Sequence, residues 1–230
     1  MHRIETVTDT AFTTMNTYIA SRPVAGAAAT AEQIAQGFDI ARTEAQENNL
    51  ALPSPAVGSL LSTLAAATTS PHGAVAVTPA AGVVGLYILR GLPQKATVTC
   101  IDPEAAHQAS AKEAFRASGF AASRGRFLTA RPLEVMSRLA PASYQLVYAD
   151  VEPTELSAVI DAAWPLLVTG GTLVLAGSLL DGTLTDATRR DRVTDAARAA
   201  EDDVDGLAAS EGAVVTRLPL DGGLTLVTKR

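Results

Sequence analysis

Apolar positions in the first 70 residues recur at three and four. Ile34, Phe38, Ala41 and Ala45 form one stripe, and Val57, Leu60, Leu61 and Leu64 form a second. That spacing predicts amphipathic helices. Thr30-Ala-Glu-Gln33 fits a capping box, with Asn48-Asn49 as a stop. Leu52-Pro-Ser-Pro55 predicts a stiff connector, because proline disfavours helix in the residue before it. Thr68 to Gly73 then predicts a loop in which His72 is solvated.

From residue 73 the pattern changes. Ala74 to Val77 is continuous, small and β-branched, as in a strand buried on both faces. Thr78 to Gly82 predicts a tight turn, Val83 to Leu92 a helix, and Thr97 to Ile101 a second strand ending on Asp102. The carboxylate stands 20 residues past Gly82. In an open α/β sheet that position suits hydrogen bonds from a ribose lying over the first turn. The unit predicts a nucleoside-cofactor domain.

The alternation continues. Pro103 is placed at the start of a helix carrying Ala106, Ala109, Ala114 and Ala117 and closed by Gly119. Arg126–Thr129 is a third strand, and Leu133, Met136 and Leu139 mark a brief helix. Tyr144–Ala149 is a fourth strand ending on a second acid, Asp150. Leu156 to Leu167 is an amphipathic helix, and Gly170-Gly171 turns into a fifth strand, Thr172–Ala176. A charged helix from Asp186 to about Leu207 precedes a hairpin, Ala213–Leu218 and Leu224–Thr228, turning at Gly222-Gly223. The expectation is a doubly wound, Rossmann-like α/β domain over residues 1–230. It has an N-terminal helical extension (1–70), an α/β core (73–230) and an antiparallel C-terminal hairpin.

Composition narrows the class. The chain is 47% hydrophobic and 18% charged, which fits a globular protein. Eighteen basic against 24 acidic residues give −6, so neither nucleic acid nor an anionic membrane is expected as a partner. Cys100 is the only cysteine, so no internal disulfide is possible and a reducing compartment suits the chain. With no signal-like or spanning apolar run, the expected location is cytoplasmic.

The first turn lacks the Gly-x-Gly-x-x-Gly of a dinucleotide site, offering Gly82 and Gly85 with Pro79 where an N–H donor would help. S-adenosylmethionine (SAM) carries no phosphate, so a small-residue turn could still serve it. The structural alternative is a packed turn whose Asp102 only caps the next helix.

These residues resemble the cation-dependent O-methyltransferases of the catechol and caffeoyl-CoA type, over nearly the whole chain. The family's first motif, Glu-Ile-Gly-x-Gly-x-Gly-Tyr-Ser, falls on Ala76 to Val84, and its ribose-binding acid on Asp102. Its strand-four pattern resembles Tyr144 to Asp150, its Leu-x-x-Gly-Gly resembles Leu167 to Gly171, and its closing hairpin Leu218 to Thr225. The resemblance implies SAM as cofactor, held at Thr78, Ala80, Gly82, Val84, Asp102, Arg131 and Pro132. It implies Asp150 as the catalytic position, a small-molecule acceptor and a homodimer formed through N-terminal helices.

The departures fall on the chemistry. Ala76, Thr78, Ala80 and Val84 replace the motif's Glu, two glycines and Ser, and Arg131-Pro132 replaces the adenine-contacting Asp-Ala. Ala176-Gly177 replaces the metal-binding Asp-Asn, so of the three protein ligands only Asp150 remains; no residue is assigned as a metal ligand and metal dependence is expected to be weak or absent. Asp150, Glu152 and Asp181 could rebuild a looser acidic site. Arg131 could stack on a ring, reach an anion, or pair with Asp102. His107 reads as a surface residue. Residues 179–185 and the connectors before Leu60 are expected to shape the acceptor pocket. Two readings stay open: an O-methyltransferase, or a non-catalytic relative that kept the scaffold as a binding module.

Overall fold

The structure is a computed structural model that describes residues 2–22, 30–67 and 71–230. The His2 side chain and positions 68–70 of the expected loop lie outside the described residues. Three helices, α1 (His2–Ser21), α2 (Ala31–Glu47) and α3 (Pro55–Ala66), precede the sheet. The Thr30–Gln33 capping box forms, with the Gln33 N–H donating to the Thr30 hydroxyl and the Thr30 N–H to Gln33 Oε1. The stripe it starts is buried at Ile34, Phe38, Ala41 and Ala45. Pro55 is the first residue of α3, with Ser54 as its cap.

Strands β1 (Gly73–Val77), β2 (Val98–Ile101), β3 (Gly125–Leu128), β4 (Tyr144–Ala149), β5 (Leu167–Ala176), β6 (Val214–Leu218) and β7 (Leu224–Thr228) form one sheet. Its order is β3-β2-β1-β4-β5-β7-β6. The first five strands are parallel, and β7 runs antiparallel between β5 and β6. The intervening helices are α4 (Ala81–Gly91), α5 (Ala105–Ala117), α6 (Pro132–Met136), α7 (Leu156–Ala163) and α8 (Arg192–Glu211). Because the chain runs from β1 to β2 on one side and returns to β4 on the other, the sheet opens a crevice at the carboxyl ends of β1 and β4.

Alternate strand residues feed two cores. Ala74, Ala76, Leu146 and Tyr148 meet α2, α3, α4 and α5, while Val75, Val77, Val147 and Ala149 meet α7 and α8. Both faces are covered, which is why β1 and β4 read as unbroken apolar runs. Among the described residues no helix is long and apolar enough to cross a membrane.

Several boundaries differ from the sequence expectation. Pro103 lies outside α5, which begins at Ala105; the Glu104 N–H donates to Asp102 Oδ1 (3.1 Å), and this turn delays the helix. Ala106 and Ala109 are exposed, while Gln108, Ala111 and Phe115 face inward with Ala114. The helix expected through Leu167 ends at Ala163, where Trp164-Pro165 tightens the chain into a 3₁₀ turn and Leu167 opens β5. α8 starts at Arg192, six residues later than expected, capped by Asp191.

α3 and α4 approach closely because small residues face each other. The Ser62 hydroxyl donates to the Tyr87 carbonyl at 2.6 Å, and a Cβ on Gly91 would lie 1.9 Å from the Ser62 carbonyl oxygen. Alanine is the better helix former by about 1 kcal/mol, but that backbone oxygen has no room to move. Gly91→Ala is therefore expected to lose about 1–3 kcal/mol of stability, read as a lower urea midpoint.

Candidate active site

The crevice holds a cleft of about 720 Å³ lined by Thr78, Pro79, Asp102, Arg131, Pro132 and Asp150, among others. Its floor is made by strand ends laced together. The Thr78 N–H donates to the Ile101 carbonyl (3.4 Å), the Asp102 N–H to Leu128 (3.3 Å) and the Asp150 N–H to Val77 (2.8 Å). Gln108 is buried under this rim, its side-chain amide donating to the Cys100 and Leu128 carbonyls at 3.3 and 3.4 Å.

Asp102 is only 5% exposed. Its Oδ1 accepts the Glu104 N–H, and its Oδ2 lies 2.6 Å from His107 Nδ1, which donates because a carboxylate can only accept. An ionised carboxylate has about four acceptor positions. Two are used, so two remain. Arg131 also lines the cleft, yet it is exposed and in no ion pair among the described residues. The pairing of Arg131 with Asp102 that the sequence allowed is replaced by His107.

Asp150 faces the opposite end. Its Oδ2 accepts from the buried Thr78 hydroxyl (3.1 Å), and Thr78 Oγ1 in turn accepts the Ala80 N–H (3.2 Å). Burial holds the Asp150 carboxyl above the usual carboxylate range; the Thr78 hydrogen bond opposes that shift and the charge on Glu152 adds to it. Asp150 also lines a second cavity of about 160 Å³, with Pro53, Val57, Tyr148, Ala176 and Asp221. Tyr148 is 2% exposed, and burial with the Asp150 and Asp221 charges pushes its phenol strongly up, so it stays a protonated donor. Asp221 sits at the hairpin turn with φ 49° and takes the Ser54 N–H on Oδ2 (2.6 Å).

Of the positions expected to touch a cofactor, Thr78, Asp102, Arg131 and Pro132 share the large cleft with Asp150. Ala80 and Gly82 border a small recess beside His107, and Val84 is fully buried in the core. Gly82 faces the other helices, where an added Cβ would meet Ala41 Cβ at 3.0 Å. Ala51 to Pro53 and Val57 wall the second cavity, as expected of the connector, whereas no residue from 179 to 185 lines it. Asp150, Glu152 and Asp181 do not gather, and among the described residues no three His, Cys, Asp or Glu side chains could hold a metal ion. With Ala176 and Gly177 offering no side-chain oxygen, the donor set does not fit a divalent cation. Sequence reasoning missed His107, Tyr148 and Asp221. The signal available for His107 was its place in the first turn after an acid-tipped strand.

No protein-family model matches the chain. A Mycobacterium protein (strain JLS), provisionally named an O-methyltransferase, is 35% identical over 189 residues, covering 82% of this chain and 84% of the relative. A solved structure from Corynebacterium glutamicum is 52% identical, with a TM-score of 0.85 over 95% of this chain and 97% of that one. The O-methyltransferase TomG of Streptomyces achromogenes, solved with SAM and described as involved in tomaymycin synthesis, shares the fold at 20% identity. Its TM-score is 0.76 over 94% of this chain and 96% of that one.

A carboxyl whose pKa is raised in the fold binds protons more tightly folded than unfolded. Its stabilising contribution is present below the unfolded value and is lost as pH rises through the folded value. At neutral pH the buried Asp150 charge therefore costs stability. Asp150→Asn is expected to raise the urea midpoint at pH 7, with the gain vanishing toward about pH 4.

Proposed function

The chain belongs to the O-methyltransferase family, and we propose that it transfers the methyl group of SAM to a hydroxyl of a small molecule seated beside Asp150. The single observation that carries this reading is that Asp150 lines both cavities, the cofactor-sized cleft and the smaller apolar recess. One carboxylate thus stands where a cofactor and an acceptor would meet. The cleft falls within the roughly 300–1,000 Å³ of small-molecule sites. The smaller recess matches a cavity of about 150 Å³ known to take a benzene ring.

Asp102 and its two remaining acceptor positions would hold the ribose, with Thr78, Pro79 and Pro132 against the nucleoside. When bound, SAM supplies an electrophilic methyl on a sulfonium centre. Asp150 would take the acceptor hydroxyl proton as the methyl carbon's bond to sulfur gives way to one with oxygen, and its raised pKa makes it a stronger base than an ordinary carboxylate. The Tyr148 hydroxyl donates to the acceptor oxygen or its neighbour and fixes its orientation. Positioning supplies most of the remaining rate. The substitutions Ala76, Thr78, Ala80 and Val84 leave a site altered from the family pattern. Ala176 and Gly177 support a reaction with weak or no metal dependence. The buried, free Cys100, its thiol pushed up to about 12 by burial, is consistent with a cytoplasmic location.

A non-catalytic reading has its own support: Pro79 has no N–H to offer, the Ala80 N–H is engaged by Thr78, and Asp102 is already bonded to His107. Calorimetry with SAM and S-adenosylhomocysteine separates the two. The enzyme reading expects micromolar binding, unchanged by Mg²⁺ and weakened at least about tenfold in Asp102→Ala. Asp150→Asn should still bind and lose about 10²–10⁴ in turnover. No binding at millimolar ligand would leave the binding-module reading.

The chain is further proposed to pair as a homodimer through α1, where Phe12, Met15 and Tyr18 are 37%, 56% and 63% exposed. Light scattering should give twice the 23.7 kDa chain mass, and Tyr18→Glu with Met15→Glu should return it to one chain; a wild-type monomer at micromolar concentration would overturn the pairing.

A further inference from the structure

Away from the crevice, α1, α2, α3 and α4 enclose a cavity of about 310 Å³ that shares no lining residue with the cleft. Arg22, Arg42 and Arg90 line it, together with the Tyr87 hydroxyl, Ser59 and one acid, Asp39. None of the three arginines belongs to an ion pair among the described residues.

Each cavity guanidinium is held over a ring. Arg42 lies 5.0 Å from the Phe38 centroid, Arg90 lies 5.6 Å from Tyr87, and Arg22 lies 5.6 Å from Tyr18. Those contacts fix the stems and leave the N–H edges to other acceptors. Among the described residues the one hydrogen bond to these guanidinium groups is weak, Arg42 Nη2 to the Tyr87 hydroxyl at 3.4 Å. Arg90 Nε is buried with no hydrogen-bond partner among the described residues. An unmet donor on a desolvated guanidinium costs more than an exposed one, and the chain, with six more acids than bases, leaves it unanswered here.

We propose that this cavity binds a compact phosphate-bearing anion, its oxygens spanning Arg42 and Arg90 with Arg22 at the mouth. Planar guanidinium edges match phosphate oxygens two at a time, which a lone carboxylate such as Asp39 cannot satisfy for three arginines. The volume admits a phosphate or pyrophosphate group with a small substituent and falls at the lower end of small-molecule sites. The ligand is distinct from the methyl donor, and its site stands whether or not the crevice is catalytic.

The test is calorimetric titration of inorganic pyrophosphate, and separately of inorganic phosphate, into the whole chain at low ionic strength. Saturable pyrophosphate binding is expected, falling at least about tenfold in Arg42→Gln and in Arg90→Gln and weakening as salt is raised. Thermal unfolding of each variant checks that it folds. Should either fail, Arg22→Gln, on an exposed helix end, is expected to weaken binding on its own. Arg131→Gln, in the crevice, should leave pyrophosphate binding intact. Three results would each overturn the proposal: no heat at tens of millimolar pyrophosphate, full binding in the folded cavity variants, or loss of binding only in Arg131→Gln.

Discussion

The hydrogen bond from the Asp150 N–H to the Val77 carbonyl, 2.8 Å long, sets where β4 ends against β1. The parallel register behind it, Val77 opposite Ala149, places the next residue of each strand at the mouth of the crevice. Those residues are Thr78 and Asp150, and their side chains meet at 3.1 Å. On the other side Val77 lies opposite Ile101, so Asp102 emerges at the same level. A one-residue slip in either pairing would turn the acid onto the opposite face of the sheet. Register, more than any single contact, assembles the site.

That arrangement puts two largely buried carboxylates at one rim, and the surroundings treat them differently. Asp102 receives a backbone N–H and an imidazole N–H, which match an ionised carboxylate. Asp150 receives one hydroxyl, and its desolvation, with Glu152 near, outweighs that bond. One environment suits a fixed acceptor of hydrogen bonds, the other a group that exchanges a proton.

The parts legible in the sequence were those dictated by local pattern. β4 was found to the residue because a strand buried on both faces is written as Tyr144 to Ala149 without a polar break. Asp102 and Asp150 were found because strand ends are marked by the change from apolar to charged. The face of α5 was misread because alanine is compatible with either side, while the residue that faces inward, Gln108, is polar and is buried only because strand ends offer it carbonyls. His107 was taken for a surface residue, and Asp221 went unnoticed, for a related reason. One acquires its partner through a turn that the Asp102 carboxylate itself stabilises, and the other reaches the second cavity from a hairpin 71 residues beyond Asp150.

Ala176 and Gly177 offer no side-chain oxygen at the end of β5, and the recess they line is shared by the Tyr148 phenol and the Asp221 carboxylate. A cation would lower the pKa of an acceptor hydroxyl and orient it in one step. Without such ligands the two tasks separate. In the proposed reaction proton acceptance would fall to Asp150, whose burial raises its basicity, and orientation to Tyr148, whose phenol is held protonated by burial and by the Asp150 and Asp221 charges. An acceptor seated there in the proposed reaction would meet the Asp150 and Asp221 carboxylates, which works against an anionic one.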